Sequence, residues 1–147
     1  MELKERTGIN GNKLPCVAFQ KEIIKGIRHH GHLVIHDFSI GNKKGDILDF
    51  ESGEWIEVDR FNIDSLPTNG IISKLEKDCK IFVEGLEDKR VKTRVLIVDI
   101  LGCRSRERKC TLSEITGWYS SNRERILADE IRIYFNFKRK DLPLILS

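Results

Sequence analysis

Between residues 33 and 101, β-forming apolar residues come in short bursts separated by glycine, asparagine or charged turns, and this rhythm constrains the fold most. The first burst is Leu33-Val34-Ile35-His36-Asp37-Phe38-Ser39-Ile40, and Gly41-Asn42-Lys43-Lys44-Gly45 turns the chain after it. Residues 47–50 and 55–61 read as two further strands joined by the hairpin turn Glu51-Ser52-Gly53-Glu54. Residues 62–77, with Pro67 and Asn69-Gly70, hold a short helical piece around residues 72–75. Residues 80–86 and 91–101 then read as two long strands around Glu87-Asp88-Lys89-Arg90. Apolar runs such as Val95-Leu96-Ile97-Val98 stop at four residues, far short of the roughly 20 that a membrane helix requires. The opening Met1-Glu2-Leu3-Lys4-Glu5-Arg6 has no apolar stretch of a secretory leader.

The flanks read differently. Residues 1–15 are expected as a flexible polar arm, with Gly8, Asn10, Gly11 and Asn12. Residues 17–27 predict a helix, since Phe19, Ile23, Ile24 and Ile27 recur at helical spacing, and Gly31 ends it. Near the C-terminus, Ser121 and Glu124 have capping-box spacing. Behind them Ile126, Leu127, Ile131, Tyr134 and Phe135 form an apolar stripe, predicting an amphipathic helix. A competing reading makes residues 131–137 a strand. The expected organisation is an arm (1–15), a barrel (16–103), and a basic linker with an assembly helix (104–147).

Lys plus Arg number 26 against 23 Asp plus Glu, a net charge of +3 that says little until its placement is read. Arg104, Arg106, Arg108 and Lys109 cluster around Glu107, and Lys138-Arg139-Lys140 follows, so the second half suits nucleic acid or an acidic partner. A solvated basic face is the plainer alternative. Cys16, Cys79, Cys103 and Cys110 include no Cys-x-x-Cys, which leaves no ribbon-type zinc site or thioredoxin-like motif to propose. They are expected as reduced, mostly buried thiols.

Five strands with a helical connection between the third and fourth is the order of the OB-fold, a small Greek-key β-barrel. Ile47-Leu48-Asp49-Phe50-Glu51-Ser52-Gly53-Glu54-Trp55-Ile56-Glu57-Val58 resembles the second-strand turn of small OB-fold subunits of genome-maintenance complexes. Those include the middle and small subunits of replication protein A, the small subunits of the telomeric CST complex and the small OB subunit of the Bloom-helicase dissolvasome. Residues 79–85 and 92–98 look like their fourth and fifth strands. The resemblance implies an all-β, five-stranded barrel with a C-terminal amphipathic helix. It also implies a non-catalytic, nuclear subunit that pairs with another OB-fold protein on single-stranded DNA, needs no cofactor and contacts no membrane.

OB-folds grip single strands with aromatic platforms beside basic groups, each stacked base contributing about 1–3 kcal/mol. Trp55, Phe61 and Phe82 with Lys80, Lys92 and Arg94 are the candidates, although Glu57, Asp59 and Glu84 share that face and repel phosphate. Arg104, Arg106, Arg108 and Lys109 are candidates for phosphate contacts. Ile126, Leu127, Ile131, Tyr134 and Phe135 are expected to meet a partner, or else to pack on their own barrel.

A stand-alone single-stranded DNA- or RNA-binding module is the first alternative to such a subunit, and two metal-based readings follow it. Asp46, followed by Glu54 and Glu57, resembles the acidic pair of restriction-type nucleases, whose metal needs clustered carboxylates. The lysine expected two residues after the glutamate is absent, since Asp59 stands there. His29, His30, His32 and His36 are the only histidine cluster, and no third ligand of suitable spacing follows them. Neither a P-loop nor a nucleophile elbow occurs.

Overall fold

A computed structural model describes residues 13–63, 68–138 and 140–147. The expected arm falls almost wholly outside these residues, as do Pro67 and Arg139. One six-stranded sheet organises the described chain, in the order β1-β2-β3-β4-β5-β6. Helix α1 (Lys13–His29) precedes β1 (Val34–Ile40), β2 (Lys43–Asp49) and β3 (Glu54–Asn62). Helix α2 (Thr68–Cys79) runs into a 3-10 segment, Lys80–Gly85, and leads to β4 (Thr93–Leu101). Helix α3 (Ser105–Ser121), β5 (Glu130–Phe135) and β6 (Leu144–Leu146) complete the chain.

The first three strands are antiparallel neighbours, β3, β4 and β5 run parallel, and β6 returns antiparallel to β5. Parallel strands require crossovers, and α2 and α3 provide them. Apolar side chains cover both faces of the sheet, as a helix-flanked parallel sheet requires. On one face, Phe19 and Ile24 of α1 pack on Ile47, Ile56, Val58, Val95 and Ile97. On the other, Trp55, Phe61, Leu96, Val98 and Ile100 meet Ile71, Leu75, Phe82, Ile115 and Trp118.

The expectation of a strand-rich chain holds, but the sheet is open and flanked by helices, with no closure into a five-stranded barrel. The reason lies after residue 62. The stretch read as a fourth strand, residues 80–86, is the 3-10 extension of α2, with Phe82 fully buried against the ring of Trp55. β4 therefore lies parallel to β3, where a hairpin would have continued the antiparallel meander. The expected linker and assembly helix are instead α3, whose Ile115 and Trp118 join the same core, and β5 and β6, which extend the same sheet. Helix comes earlier than the capping box suggested, at α3, and the apolar stripe falls on β5 and the loop before it. The helix over residues 17–27, the strands at 33–40 and 55–61 and the turn at Gly53 (φ 74°) match the sequence reading. β2, by contrast, starts at Lys43, inside the stretch read as a turn, because Gly41-Asn42 already reverses the chain and pairs Ile40 with Lys43. Among the described residues no helix is long and apolar enough to cross a membrane.

Candidate active site

The sheet is broken at one place, and the break collects the acids. Asp37 adopts φ 52°, in the left-handed region. Val34 consequently joins the cluster under α1, whereas Phe38 and Ile40 join the cluster on the opposite face, although a regular strand would keep all three on one side. The β1–β2 register reflects this. It runs from Val34↔Asp49 to His36↔Ile47, skips Asp37 and Asp46, and resumes at Phe38↔Gly45. The β2–β3 ladder stops at Ile47↔Ile56. Continued by one residue, it would set Asp46 opposite Glu57.

At that point side chains replace the ladder. The backbone N–H of Asp46 donates to Glu57 Oε2 at 2.6 Å, and the N–H of Val58 donates to Asp46 Oδ2 at 2.9 Å. Trp55 Nε1–H, two residues along the same face, donates to Glu57 Oε2 at 2.9 Å. Each carboxylate is thus fixed by the other strand's backbone, and Glu57 also by a buried indole. Burial, followed by the charge of Asp46, pushes the Glu57 carboxyl up to about 8.

Two elements bring further groups to the same spot. From α2, Lys74 Nζ lies 3.6 Å from Asp59 Oδ2. Asp78, one turn on, has its carboxyl pushed up to about 9, first by burial and then by a hydrogen bond with Asp59. From α1, the Cys16 thiol donates to the Val58 carbonyl at 3.8 Å. Burial, then Asp59, Asp46 and Asp78, drives this thiol up to about 12, which removes it as a nucleophile. One turn along α1, Gln20 is buried, and its Nε2 has no hydrogen-bond partner among the described residues. Burial of carboxyl groups gathered this closely favours their protonated forms, against the opposing pull of Lys74 on Asp78.

The stacking candidates sit elsewhere. Trp55 and Phe82 are fully buried and Phe61 is 5% exposed, so all three belong to the core and present no platform to a base. Arg94 is tied to Asp129 through its backbone N–H (2.8 Å) and Nε (3.2 Å). Arg108 is half-buried, with its guanidinium 5.5 Å from the Phe135 ring centroid. Lys80, Lys92, Arg104, Arg106 and Lys109 are exposed, the last three at the start of α3. In the apolar stripe, Ile126 and Ile131 are buried, Leu127, Tyr134 and Phe135 half-buried, and all pack within this chain. β5 needs cover from its own protein because it is a central strand.

The histidines do not converge. His32 donates to Asp49, His36 lies 3.5 Å from Asp37, and His29 and His30 pair edge to face. Cys79 and Cys103 are buried, Cys16 half-buried and Cys110 exposed, all as free thiols. Among the described residues, no three His, Cys, Asp or Glu side chains are placed to hold a metal ion by themselves. Sequence reasoning reached Asp46 and Glu57 but missed Lys74, Asp78 and Asp37. The spacing of Lys74 and Asp78 puts both on one helical face, yet nothing in the sequence says that this face meets β3.

No family model matches the chain, and neither a curated protein nor a solved structure matches it.

Proposed function

We propose that this protein is a divalent-cation-dependent nuclease, with Asp46 and Glu57 as its cation-binding carboxylates. The observation that carries the reading is their placement. They sit on adjacent strands, at facing positions where the ladder ends, each locked by the other strand's backbone. Mg²⁺ is usually held by one or two carboxylates, with water and substrate phosphate completing its shell. A two-carboxylate platform suits that habit, and the burial that pushes the Glu57 and Asp78 carboxyls up marks where positive charge would be welcome. When bound, such a cation polarises a phosphoryl oxygen and acidifies a water molecule.

The chain's own groups do the rest. Trp55 and the Asp46 amide fix the Glu57 carboxylate, so no side-chain ordering is left for the moment of reaction. β3 and β4 are parallel central strands whose C-terminal ends lie side by side, and α3 begins just beyond the end of β4. Exposed Arg104, Arg106 and Lys109 sit there, suited to positioning a phosphate backbone without reading its sequence. Hydrolysis joins a water oxygen to phosphorus and breaks the bond to the leaving sugar oxygen. One water proton goes to solvent and the leaving oxygen gains one.

The alternative, a non-catalytic single-strand-binding subunit, keeps the exposed basic residues. It loses its stacking aromatics and its assembly helix, whose residues lie within this chain's own core. The test is cleavage of labelled single-stranded and duplex DNA and RNA by the full chain with Mg²⁺ or Mn²⁺. Cleavage should stop with EDTA and fall at least about 100-fold in Asp46→Asn and Glu57→Gln. A folded wild-type protein that cuts none of these substrates with either cation overturns the reading.

A further inference from the structure

We propose that Lys74, reaching across from α2, supplies the catalytic positive charge that position 59 lacks; this rests on the nuclease reading and names a further residue of the same site. A lysine two residues after Glu57 would project from the same face of β3. That position holds Asp59, which cannot stabilise an anion. Lys74 Nζ lies 3.6 Å from the Asp59 carboxylate, so the cation sits beside the place where the absent lysine would stand. Asp59 is largely buried, and Lys74 keeps 42% of its side chain exposed. One end of the pair is therefore anchored in the protein while the ammonium faces solvent, from which a phosphodiester would enter.

The neighbouring charges make the position specific. Asp59 is engaged by the Arg60 amide at 2.7 Å and by Asp78 as well as by Lys74. Asp78 lies one helical turn after Lys74, on the same face of α2. Lys74 thus stands in ion-pair contact with the Asp59 carboxylate of β3 and within electrostatic reach of Asp78 on its own helix. Its role is to donate to a non-bridging phosphoryl oxygen and stabilise the charge that grows there in the transition state. Lysine suits this as a compact point charge with three donors. Asp59 and Asp78 position it and do not touch substrate.

Two readouts with opposite signs test the assignment. Removing a transition-state donor typically costs about 10²–10³ in kcat. Lys74→Met should therefore lower kcat by about 100-fold with KM changed little, and Lys74→Arg should retain most of the rate. Calorimetric titration with Mn²⁺ alone should show Lys74→Met binding at least as tightly as wild type, because a competing positive charge has gone. Adding Asp59→Lys to Lys74→Met should recover about tenfold of the lost rate by restoring the charge from β3. If Lys74→Met cleaves like wild type while Asp46→Asn does not, Lys74 is not catalytic and the nuclease reading stands. If Lys74→Met loses Mn²⁺ binding and cleavage together, Lys74 is structural and the assignment falls. If wild type cleaves nothing, both readings fall.

Discussion

Asp99, with no exposed surface, accepts Arg60 Nε–H at 2.9 Å across the parallel β3–β4 pair, and its other oxygen accepts the Phe137 N–H at 2.9 Å. The contact ties the sheet centre to the chain leaving β5, beneath α1, whose Phe19 ring lies 5.7 Å from the Arg60 guanidinium. Removing one partner of a buried pair leaves the other uncompensated, at a cost of about 3–5 kcal/mol. Asp99→Ala should destabilise by that order in urea denaturation. Asp99→Asn, which still accepts the Phe137 N–H, should cost less. A loss below about 1 kcal/mol in Asp99→Ala would show that the pair contributes little.

The acid cluster should make the metal-free protein weaken as pH rises. Glu57 and Asp78 keep their protons in the folded state, with pKa values of about 8 and 9, where the unfolded chain has lost them. Stability from each is therefore full below the ordinary carboxylate range and is lost as pH climbs through the folded value. Urea midpoints should fall between about pH 5 and 8. Glu57→Gln should flatten that slope, and Asp78→Asn should flatten it further. Mg²⁺ should raise the midpoint most at the alkaline end, because cation and proton compete for the same carboxylates. A wild-type midpoint that climbs with pH across this window would contradict the arrangement.

Two glycines are set by close packing around Trp55. A Cβ on Gly85 would lie 2.5 Å from Trp55 Cζ3, and one on Gly45 would lie 2.5 Å from Phe38 and 2.8 Å from Trp55 Nε1. Overpacking of this kind costs about 1–3 kcal/mol. Gly45→Ala and Gly85→Ala should each lower thermal stability accordingly. Gly45→Ala should also reduce cleavage, since it displaces the indole N–H that holds Glu57. Gly26→Ala, with nothing within 4 Å, is the control and should be neutral or mildly stabilising.

His32 and Asp49 join the α1–β1 loop to the end of β2 at 2.8 Å. The hydrogen bond to Asp49 raises the His32 pKa. Burial alone would raise Asp49, but His32, Ser52 and the Glu51 and Ser52 amides outweigh it and lower the carboxyl. The histidine contribution is thus full below its ordinary value of 6.5 and is lost as pH rises through the raised one. The aspartate contribution is present above 3.8 and is lost on acidification through the lowered value. His32→Ala should destabilise most between these limits and least at alkaline pH, as read from urea midpoints. Asp49→Ala should cost about 1–3 kcal/mol even where His32 is neutral, because the turn amides lose their acceptor.

What the sequence determined by itself is local. Alternation and turn chemistry placed α1, β1, β2 and β3, and the periodicity of β3 set Ile56 and Val58 against Trp55, Glu57, Asp59 and Phe61, as the two apolar clusters bear out. Those features depend on neighbours a few residues apart. The apolar patterns of residues 80–86 and 126–135 fit helix or strand equally well. Packing chose a 3-10 turn for the first and, for the second, the strand that stands as the competing reading of residues 131–137. Phe82 turned inward onto Trp55, and Ile131 and Ile133 entered a ladder beside β4. Tertiary structure alone decided that the sheet stays open and that Asp46 meets Glu57 where two ladders break. It alone also brings Lys74 and Asp78 of α2 down upon Asp59. Chain reversals set those distances, and a crossover leaves no periodic trace in the residues it brings together.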